Sequence, residues 1–495
     1  MTTATILIKD EVNCKLQNLD LSTRRKLSGI FSYLLPHARH TPAFKLGRWN
    51  GMVSFFQLSG STFINLLDEI IPVLIDEGYN IEVDDKREYS TQFEFTKISA
   101  DSFSHITWPD DHPKAGQPIV LREHQVTAIE NYLLNPQSVQ EIATGAGKTI
   151  ITAALSQLVE PYGRSIVIVP NKSLVTQTEE DYINMGLDVG VFYGNRKEYI
   201  KTHTICTWQS LNSLYKKTKK GEAHIEIGDF LDDVVCVIVD EVHSAKADAL
   251  KTMLTSAMAH IPLRWGLTGT IPKEKFDFQA IRCSIGNIVG QVTAKELQDK
   301  GILANCHVNI KQLQDARIFN NYQSELKYLL SDPARLDYIA GMISDIALSG
   351  NTLVLVDRVN AGKELIGRLQ HMDVWRSLQE HVVFVSGQTG ADKRKKEYDK
   401  VKDASNMIIC ATYGVAAVGI NIPRIFNLVL IEPGKSFVRV IQSIGRSVRI
   451  ADDKDFAQIW DITSSCKYAK RHLTTRKRFY REAQYPHKVA KIKWL

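Results

Sequence analysis

The sequence predicts an α/β protein made of two doubly wound parallel sheets in tandem, preceded by a small α/β unit. Three observations carry that prediction. Wholly apolar runs such as Val234-Val235-Cys236-Val237-Ile238-Val239 recur along the chain, and a run that is apolar at every residue suits a strand buried on both faces. Segments with apolar residues at helical spacing alternate with these runs, the β-α-β rhythm of a parallel sheet. The rhythm occurs twice, over about residues 118–290 and again over 291–463. A length of 495 residues allows about three domains.

Taken in order, residues 1–95 read as a small separate α/β domain. Alternating strands at Thr5–Lys9 and Met52–Leu58 flank a helical stretch over Thr23–Leu35, and Phe63–Glu77 repeats apolar residues at helical spacing. At its centre, Lys45-Leu46-Gly47-Arg48-Trp49-Asn50-Gly51 reads as a turn that displays a cation and an aromatic ring. Residues 96–117, with Pro109, Asp110, Asp111, Pro113 and Gly116, read as a linker.

The first tandem half has strands at Ser165–Val169, Thr204–Thr207, Val234–Val239 and Trp265–Leu267, and helices at Thr149–Val159 and Leu174–Met185. The second has strands at Thr352–Val356, Val382–Val385, Met407–Cys410 and Leu428–Ile431, with helices near Lys363–Gln370 and Val438–Ile444. Two such halves with functional residues on facing sides imply a cleft.

Residues 464–495 close the chain as a basic tail. They hold ten Lys and Arg against one acid, Glu482, in a protein whose net charge is only +6. Interleaved with Tyr468, Phe479, Tyr480, Tyr485 and Trp494, these cations suit a polyphosphate partner with stackable bases. A solvated terminal helix is the plainer alternative. Two shorter basic stretches, Lys216-Lys217-Thr218-Lys219-Lys220 and Lys393-Arg394-Lys395-Lys396, read as solvated loops that widen an electrostatic track at most.

Composition narrows the class. With 44% hydrophobic and 23% charged residues the chain reads as a soluble globular protein, and no apolar stretch approaches the ~20 residues of a membrane span. The N-terminus lacks the charged-then-apolar plan of a signal peptide. Seven scattered cysteines without a C-x-x-C pair argue against a zinc site or disulfide framework and fit a reducing cytoplasm.

Two short strings carry the chemistry. In Ile142-Ala143-Thr144-Gly145-Ala146-Gly147-Lys148-Thr149, Ile142 stands where the strict phosphate-loop pattern has its first glycine. Gly145 and Gly147 still permit the tight turn, so the backbone N–H groups of Thr144, Gly145, Ala146 and Gly147 can wrap phosphate oxygens. Lys148 should reach the β- and γ-phosphates, and Thr149 should offer its hydroxyl to Mg2+. The second string, Asp240-Glu241-Val242-His243, begins 91 residues after Thr149, at the end of an apolar strand. Ligands bind at such strand ends; Asp240 is placed to hold Mg2+ and Glu241 to polarise an attacking water. An acidic pair at a helix N-terminus would give only about 0.3–1 kcal/mol of dipole stabilisation, and that does not explain why it abuts an apolar strand. A third string, Gln442-Ser443-Ile444-Gly445-Arg446-Ser447-Val448-Arg449, sets two arginines three apart on one helix face. Arg446 and Arg449 can stabilise charge on a transferring phosphate.

Over residues 121–449 these strings resemble, in order, the motifs of superfamily 2 helicases and translocases of the DExH type. Leu121-Arg122-Glu123-His124-Gln125 resembles the adenine-reading Q motif, which implies that Gln125 and Arg122 contact the nucleotide. Val169-Pro170 through Gln177 resembles motif Ia and Thr207-Trp208-Gln209-Ser210 the adjoining strand-contacting motif. Leu267-Thr268-Gly269-Thr270 resembles motif III, and His243 is expected to link the acidic pair to it or to Gln442. Leu355-Val356-Asp357-Arg358 resembles motif IV, Val385-Ser386-Gly387 the element after it, and Ala411-Thr412-Tyr413-Gly414 through Pro423 motif V, with Asn421 where many relatives carry Asp. The Phe44–Phe56 segment and the Trp460-Asp461-Ile462 ending are similar to UvsW-type phage helicases.

The resemblance implies two RecA-like domains, ATP and Mg2+ as cofactors, and catalysis by Lys148, Asp240, Glu241, Gln442, Arg446 and Arg449. It also implies a DNA partner, branched or forked, held by Pro170, Thr207, Gln209, Ser386, Gly387 and Thr412 without base choice. Arg48 and Trp49 would add a junction contact. The expected protein is a monomer or weak oligomer with no membrane partner, working in the cytoplasm (the host's, if phage-encoded), that unwinds or branch-migrates DNA in recombination, replication or repair. Three other readings stand beside it: a double-stranded-DNA translocase that remodels without separating strands, an RNA helicase, and a catalytically silent DNA-binding scaffold.

Overall fold

The computed structural model describes residues 2–494 apart from 36, 88–91, 110–114, 244–247, 388, 390–395, 399, 402–403, 417–421, 423, 437–439, 442, 446–447, 449–450 and 452. The chain divides into two compact units, Met1–Ile142 with Gly147–Gln291, and Ala143–Ala146 with Val292–Leu495.

The first unit contains two sheets. The smaller runs Ser61–Phe63, Asn13–Gln17, Thr3–Ile8, Asn80–Asp85, with the last pair parallel and the others antiparallel. Asp20 caps the helix Leu21–Ile30 by accepting the Thr23 N–H at 2.7 Å. That helix is shorter than the apolar spacing predicts, because Ser32–Leu34 leaves it to pair with Met52–Ser54. Likewise Leu67–Asp76 is the helical part of 63–77, since Ser61–Phe63 joins the sheet.

The larger sheet runs Arg196–Lys197, Val189–Tyr193, His203–Thr207, Arg164–Val169, Val234–Asp240, Leu263–Thr268, Gln137–Ile142, Asn287–Val292. From Val189–Tyr193 to Gln137–Ile142 every pairing is parallel. The apolar runs occupy its middle, where helices cover both faces.

The small sheet and the large one share apolar packing. Phe276, Ala280 and Cys283 of the helix Lys275–Ser284 belong to the same cluster as Ile6, Leu16, Phe31 and Phe56. Polar contacts tie the same seam: Arg282 pairs with Asp68 at 2.6 Å and with Glu69, and the Glu11 N–H donates to the Ala259 carbonyl at 2.9 Å. The connecting segment is turn-rich and buries Ile98 and Phe103.

The second unit is built on the order Val382–Val385, Ile408–Thr412, Thr352–Val356, Asn427–Ile431, Phe456–Ser464, Asn305–Leu313, His487–Ile492, with all six pairings parallel. Residues 464–495 therefore do not form a tail. Lys467–Glu482 is a helix packed on the sheet, and His487–Ile492 is its edge strand. The reason lies under the helix. Arg476 is fully buried and makes a bidentate pair with Asp461 at 2.8 and 2.9 Å, Tyr480 donates to the same carboxylate at 2.8 Å, and Arg476 reaches the Gly434 carbonyl at 2.7 Å. Burial opposes the charged guanidinium, and Asp461 more than offsets it, so the Arg476 pKa stays above its ordinary value. Arg476→Leu strands Asp461 without its cation and is expected to destabilise this unit by about 3–5 kcal/mol. A lower urea midpoint for the variant, with unchanged slope, would be the signature.

All seven cysteines are buried, as small core residues. Among the described residues no helix is long and apolar enough to cross a membrane.

Candidate nucleotide and nucleic-acid sites

The phosphate-loop string joins the strand Gln137–Ile142 to the helix Lys148–Val159. Its two glycines take left-handed backbone angles, φ 90° at Gly145 and 86° at Gly147, which glycine alone adopts without penalty. Gly147 also lies so close to the Gln125 side-chain amide that a Cβ there would collide with it. Gln125 is held in place because its Oε1 accepts the Arg122 N–H at 2.8 Å at the start of helix Glu123–Leu134. Two residues far apart in sequence, Gln125 and Gly147, thus meet at the head of the phosphate-loop helix.

Asp240 ends the strand Val234–Asp240, and Glu241 follows in the left-handed region at φ 51°. For a non-glycine residue that is an uncommon backbone state, found where surrounding structure enforces it. The turn aims the Glu241 carboxylate at Lys148, 3.0 Å away, with both side chains largely buried. Its other oxygen lies 3.4 Å from His243 Nδ1 and 3.5 Å from the Thr268 hydroxyl, while His243 Nδ1 stands 3.0 Å from that hydroxyl. The expected link from His243 to the 267–270 string therefore exists, through Thr268 at the end of the neighbouring strand.

Burial alone would raise the Glu241 pKa, but Lys148 and His243 together hold it well below the usual carboxylate range. Asp240 behaves oppositely: burial pushes it up to about 6, against the attraction of Lys148 and with the charge of Glu241 adding to the rise. A partly buried carboxylate at the strand end, within the field of Lys148 at the phosphate-loop helix start, fits a divalent cation. Among the described residues no group of three or more His, Cys, Asp and Glu could hold a metal. Mg2+ at Asp240 and Thr149 would take its other oxygens from phosphate and water, as that ion prefers.

Three of the expected nucleic-acid contacts lie together in the first unit. Pro170 follows the strand Arg164–Val169, Thr207 ends the adjacent His203–Thr207, and the Gln209 amide is 3.5 Å from the Pro170 carbonyl. The Thr207 hydroxyl caps the helix Trp208–Lys220, accepting the Ser210 N–H at 3.4 Å. In the second unit Ser386 and Thr412 stand at the ends of the adjacent strands Val382–Val385 and Ile408–Thr412, and Gly387 follows Ser386. Arg48 is exposed in the 45–51 turn, and Trp49 is half-buried with its indole N–H donating to the Met52 carbonyl at 3.0 Å. Lys217, Lys219 and Lys220 occupy the last turn of the helix Trp208–Lys220, where cations complement the helix dipole. Gln442, Arg446, Arg449, Asn421 and Lys393–Lys395 lie outside the described residues.

The sequence reading places Arg476 in the basic tail and Asp461 in the Trp460-Asp461-Ile462 string without pairing them. A charged residue inside the apolar strand Phe456–Ser464 was the available signal. It also passed over Glu432, buried at φ 42° and paired with Arg335 at 2.6 Å.

Residues 118–273 match the family described as the res subunit of type III restriction enzymes, and residues 334–451 match the helicase conserved C-terminal domain. The chain belongs to the superfamily 2 helicases. Among its relatives, this superfamily 2 helicase is 23% identical to the ATP-dependent DNA helicase uvsW of Enterobacteria phage T4, over 92% of this chain and 90% of that one. It is also 23% identical to a DNA 3'-5' helicase XPB of Kineococcus radiotolerans, covering 74% of this chain and 64% of the relative. Its fold is shared with a fragment of an HsdR subunit of a type I restriction enzyme from Vibrio vulnificus, at a TM-score of 0.56, 17% identity, and coverage of 97% and 85%. As a helicase of this superfamily the chain uses ATP.

Proposed function

We propose that this superfamily 2 helicase is an ATP-dependent DNA helicase that translocates on DNA and unwinds or branch-migrates branched intermediates in recombination, replication or repair. The observation that carries the reading is the cluster at the strand ends, where Lys148, Glu241, His243 and Thr268 form one connected set. Supporting it are the two helicase-family matches in tandem and the uvsW likeness, which runs nearly the full length of both chains.

Lys148 and the backbone N–H groups of residues 144–147 bind the phosphates, and Gln125 and Arg122 contact the base. Glu241 orients and polarises the attacking water, its ionised form secured by the low pKa. Asp240 and Thr149 would hold Mg2+, which when bound would neutralise charge on the phosphate oxygens. Gln442, Arg446 and Arg449 engage the γ-phosphate and stabilise the charge of transfer. Because these arginines gain their partner only when that phosphate is present, nucleotide state biases conformation. Pro170, Thr207, Gln209, Ser386, Gly387 and Thr412 hold the nucleic-acid backbone, and residues 1–95 act as an accessory DNA-binding domain through Arg48 and Trp49. The likeness to a phage helicase supports action in the host cytoplasm.

The test is ATP turnover without DNA and with single strands, duplex and a four-way junction at equal nucleotide concentration. Stimulation of at least tenfold, greatest on the junction, is expected; turnover indifferent to DNA would overturn the reading. A strand-displacement assay run against triplex displacement separates unwinding from duplex translocation.

A further inference from the structure

The helix Lys467–Glu482 is sharply divided. At 100° per residue, Ala469, Leu473, Arg476 and Tyr480 fall on one side and are buried against the sheet. Lys467, Lys470, Arg471, Thr474, Lys477, Arg478 and Arg481 fall within an arc of about 120° on the opposite side. Six of those seven are cations, and all but Lys477 and Thr474 are exposed cations. The only acid of the helix, Glu482, sits at the margin of the arc with its carboxylate 3.8 Å from Arg478.

Helix stability alone does not select such a face. A solvated helix surface gains from acids and bases alternating at i and i+4, whereas like charges at that spacing repel. Lys467, Lys470 and Arg471 stand in the first turns, where the dipole favours anions, and the first turn holds no acid of its own. The first N–H groups, those of Tyr468 and Ala469, are instead taken by the buried Glu325 carboxylate at 3.0 and 2.7 Å. Nearby Asp315 is engaged by the Tyr328 hydroxyl at 2.5 Å. The helix is thus fastened from below by Glu325, Asp461 and Gly434, and the cations of the arc face outward.

We infer that this face is a track for the sugar-phosphate backbone of duplex DNA, a deepening that rests on the DNA-helicase reading above. Charge complementarity identifies the ligand class. The aromatic residues decide between duplex and single strand. Phe479, Tyr480 and Tyr485 are buried, Tyr468 packs edge-on against Tyr322, and Trp494 leans on Tyr338. No aromatic ring lies on the arc to stack an unpaired base. From Lys467 to Arg481 the cations span about 21 Å, room for several phosphates of one duplex strand at 3.4 Å of axis each. Lys488 and Lys491 lie on the edge strand, where lysines guard an open sheet edge, and are assigned no part in the track.

The experiment measures duplex affinity against salt for the full chain and for K470Q/R471Q/R478Q/R481Q. The slope of log K against log salt is expected to flatten by about 2–4, since each phosphate contact contributes about 0.9. Duplex affinity at 0.1 M salt should fall at least tenfold while turnover at saturating DNA is unchanged. K488Q/K491Q should leave the slope alone. Should the quadruple variant unfold, K470Q/R471Q and R478Q/R481Q each carry about half the effect. An unchanged slope in the quadruple variant, with DNA stimulating the wild-type protein, overturns the track and leaves the helicase reading standing. Loss of single-strand affinity as large as the duplex loss overturns the duplex assignment. Absence of DNA stimulation in the wild type overturns the helicase reading itself.

Discussion

Lys148→Ala is expected to lower ATP turnover by about 10²–10³-fold or more, the scale of removing one preorganised donor from developing charge. Lys148 is the cation at the start of the phosphate-loop helix, and its Nζ lies 3.0 Å from Glu241. The substitution removes the charge proposed to receive phosphate oxygens, which is also the charge that holds Glu241 ionised. With two carboxylates left side by side and no ammonium, one of the pair should take up a proton near neutral pH. The sheet around them does not depend on Lys148, so the variant should remain folded by circular dichroism and melt cooperatively. A folded Lys148→Ala protein that hydrolyses ATP at near wild-type rates would refute the site.

Glu241→Gln should have an effect of about 10²–10⁴-fold on hydrolysis, the range for a positioned acid-base group, yet act on a different step. Glutamine keeps the shape of the side chain, and its oxygen can still accept from Thr268 and the Gly269 N–H. What is lost is the negative charge. Lys148 is then released from its ion pair toward phosphate, and Asp240 loses the neighbour that helps raise its pKa. Nucleotide binding should therefore be retained or tightened while single-turnover hydrolysis slows. The two variants together separate binding from chemistry: Lys148→Ala loses both, Glu241→Gln loses only the second. Unaltered single-turnover hydrolysis in Glu241→Gln would remove Glu241 from the role of polarising water.

The parallel sheets were legible because strands covered on both faces must be apolar throughout, as in Val234–Val239, Thr352–Val356 and Leu428–Ile431. Asn13–Gln17 and Asn80–Asp85 were not, since they lie in a small, half-covered sheet and carry Lys15, Glu82, Asp84 and Asp85 among few apolar residues. The helix reading over Thr23–Leu35 overran because Phe31 and Leu34 continue the apolar spacing, while pairing of Ser32–Leu34 with Met52–Ser54 decided the backbone. The placement of Lys148, Asp240 and Glu241 was legible because each abuts a strand or helix end that the pattern marks. The left-handed turn at Glu241 and the meeting of Gln125 with Gly147 could not, for both depend on long-range packing. Arg476 looked like any tail cation, because only a sheet position 15 residues earlier, Asp461, reveals that it is buried.

The seam between the small N-terminal sheet and the helix Lys275–Ser284 bears on how the protein should be dissected. A fragment starting near residue 118 would leave Phe276, Ala280 and Cys283 wetted and strip Arg282 of Asp68 and Glu69. Such a shortened motor would misbehave through exposed apolar surface and an Arg282 guanidinium left with only the neutral Asn287 side chain, whether or not residues 1–95 grip DNA as proposed. Point changes at Arg48 or Trp49 test that proposed grip without opening the seam.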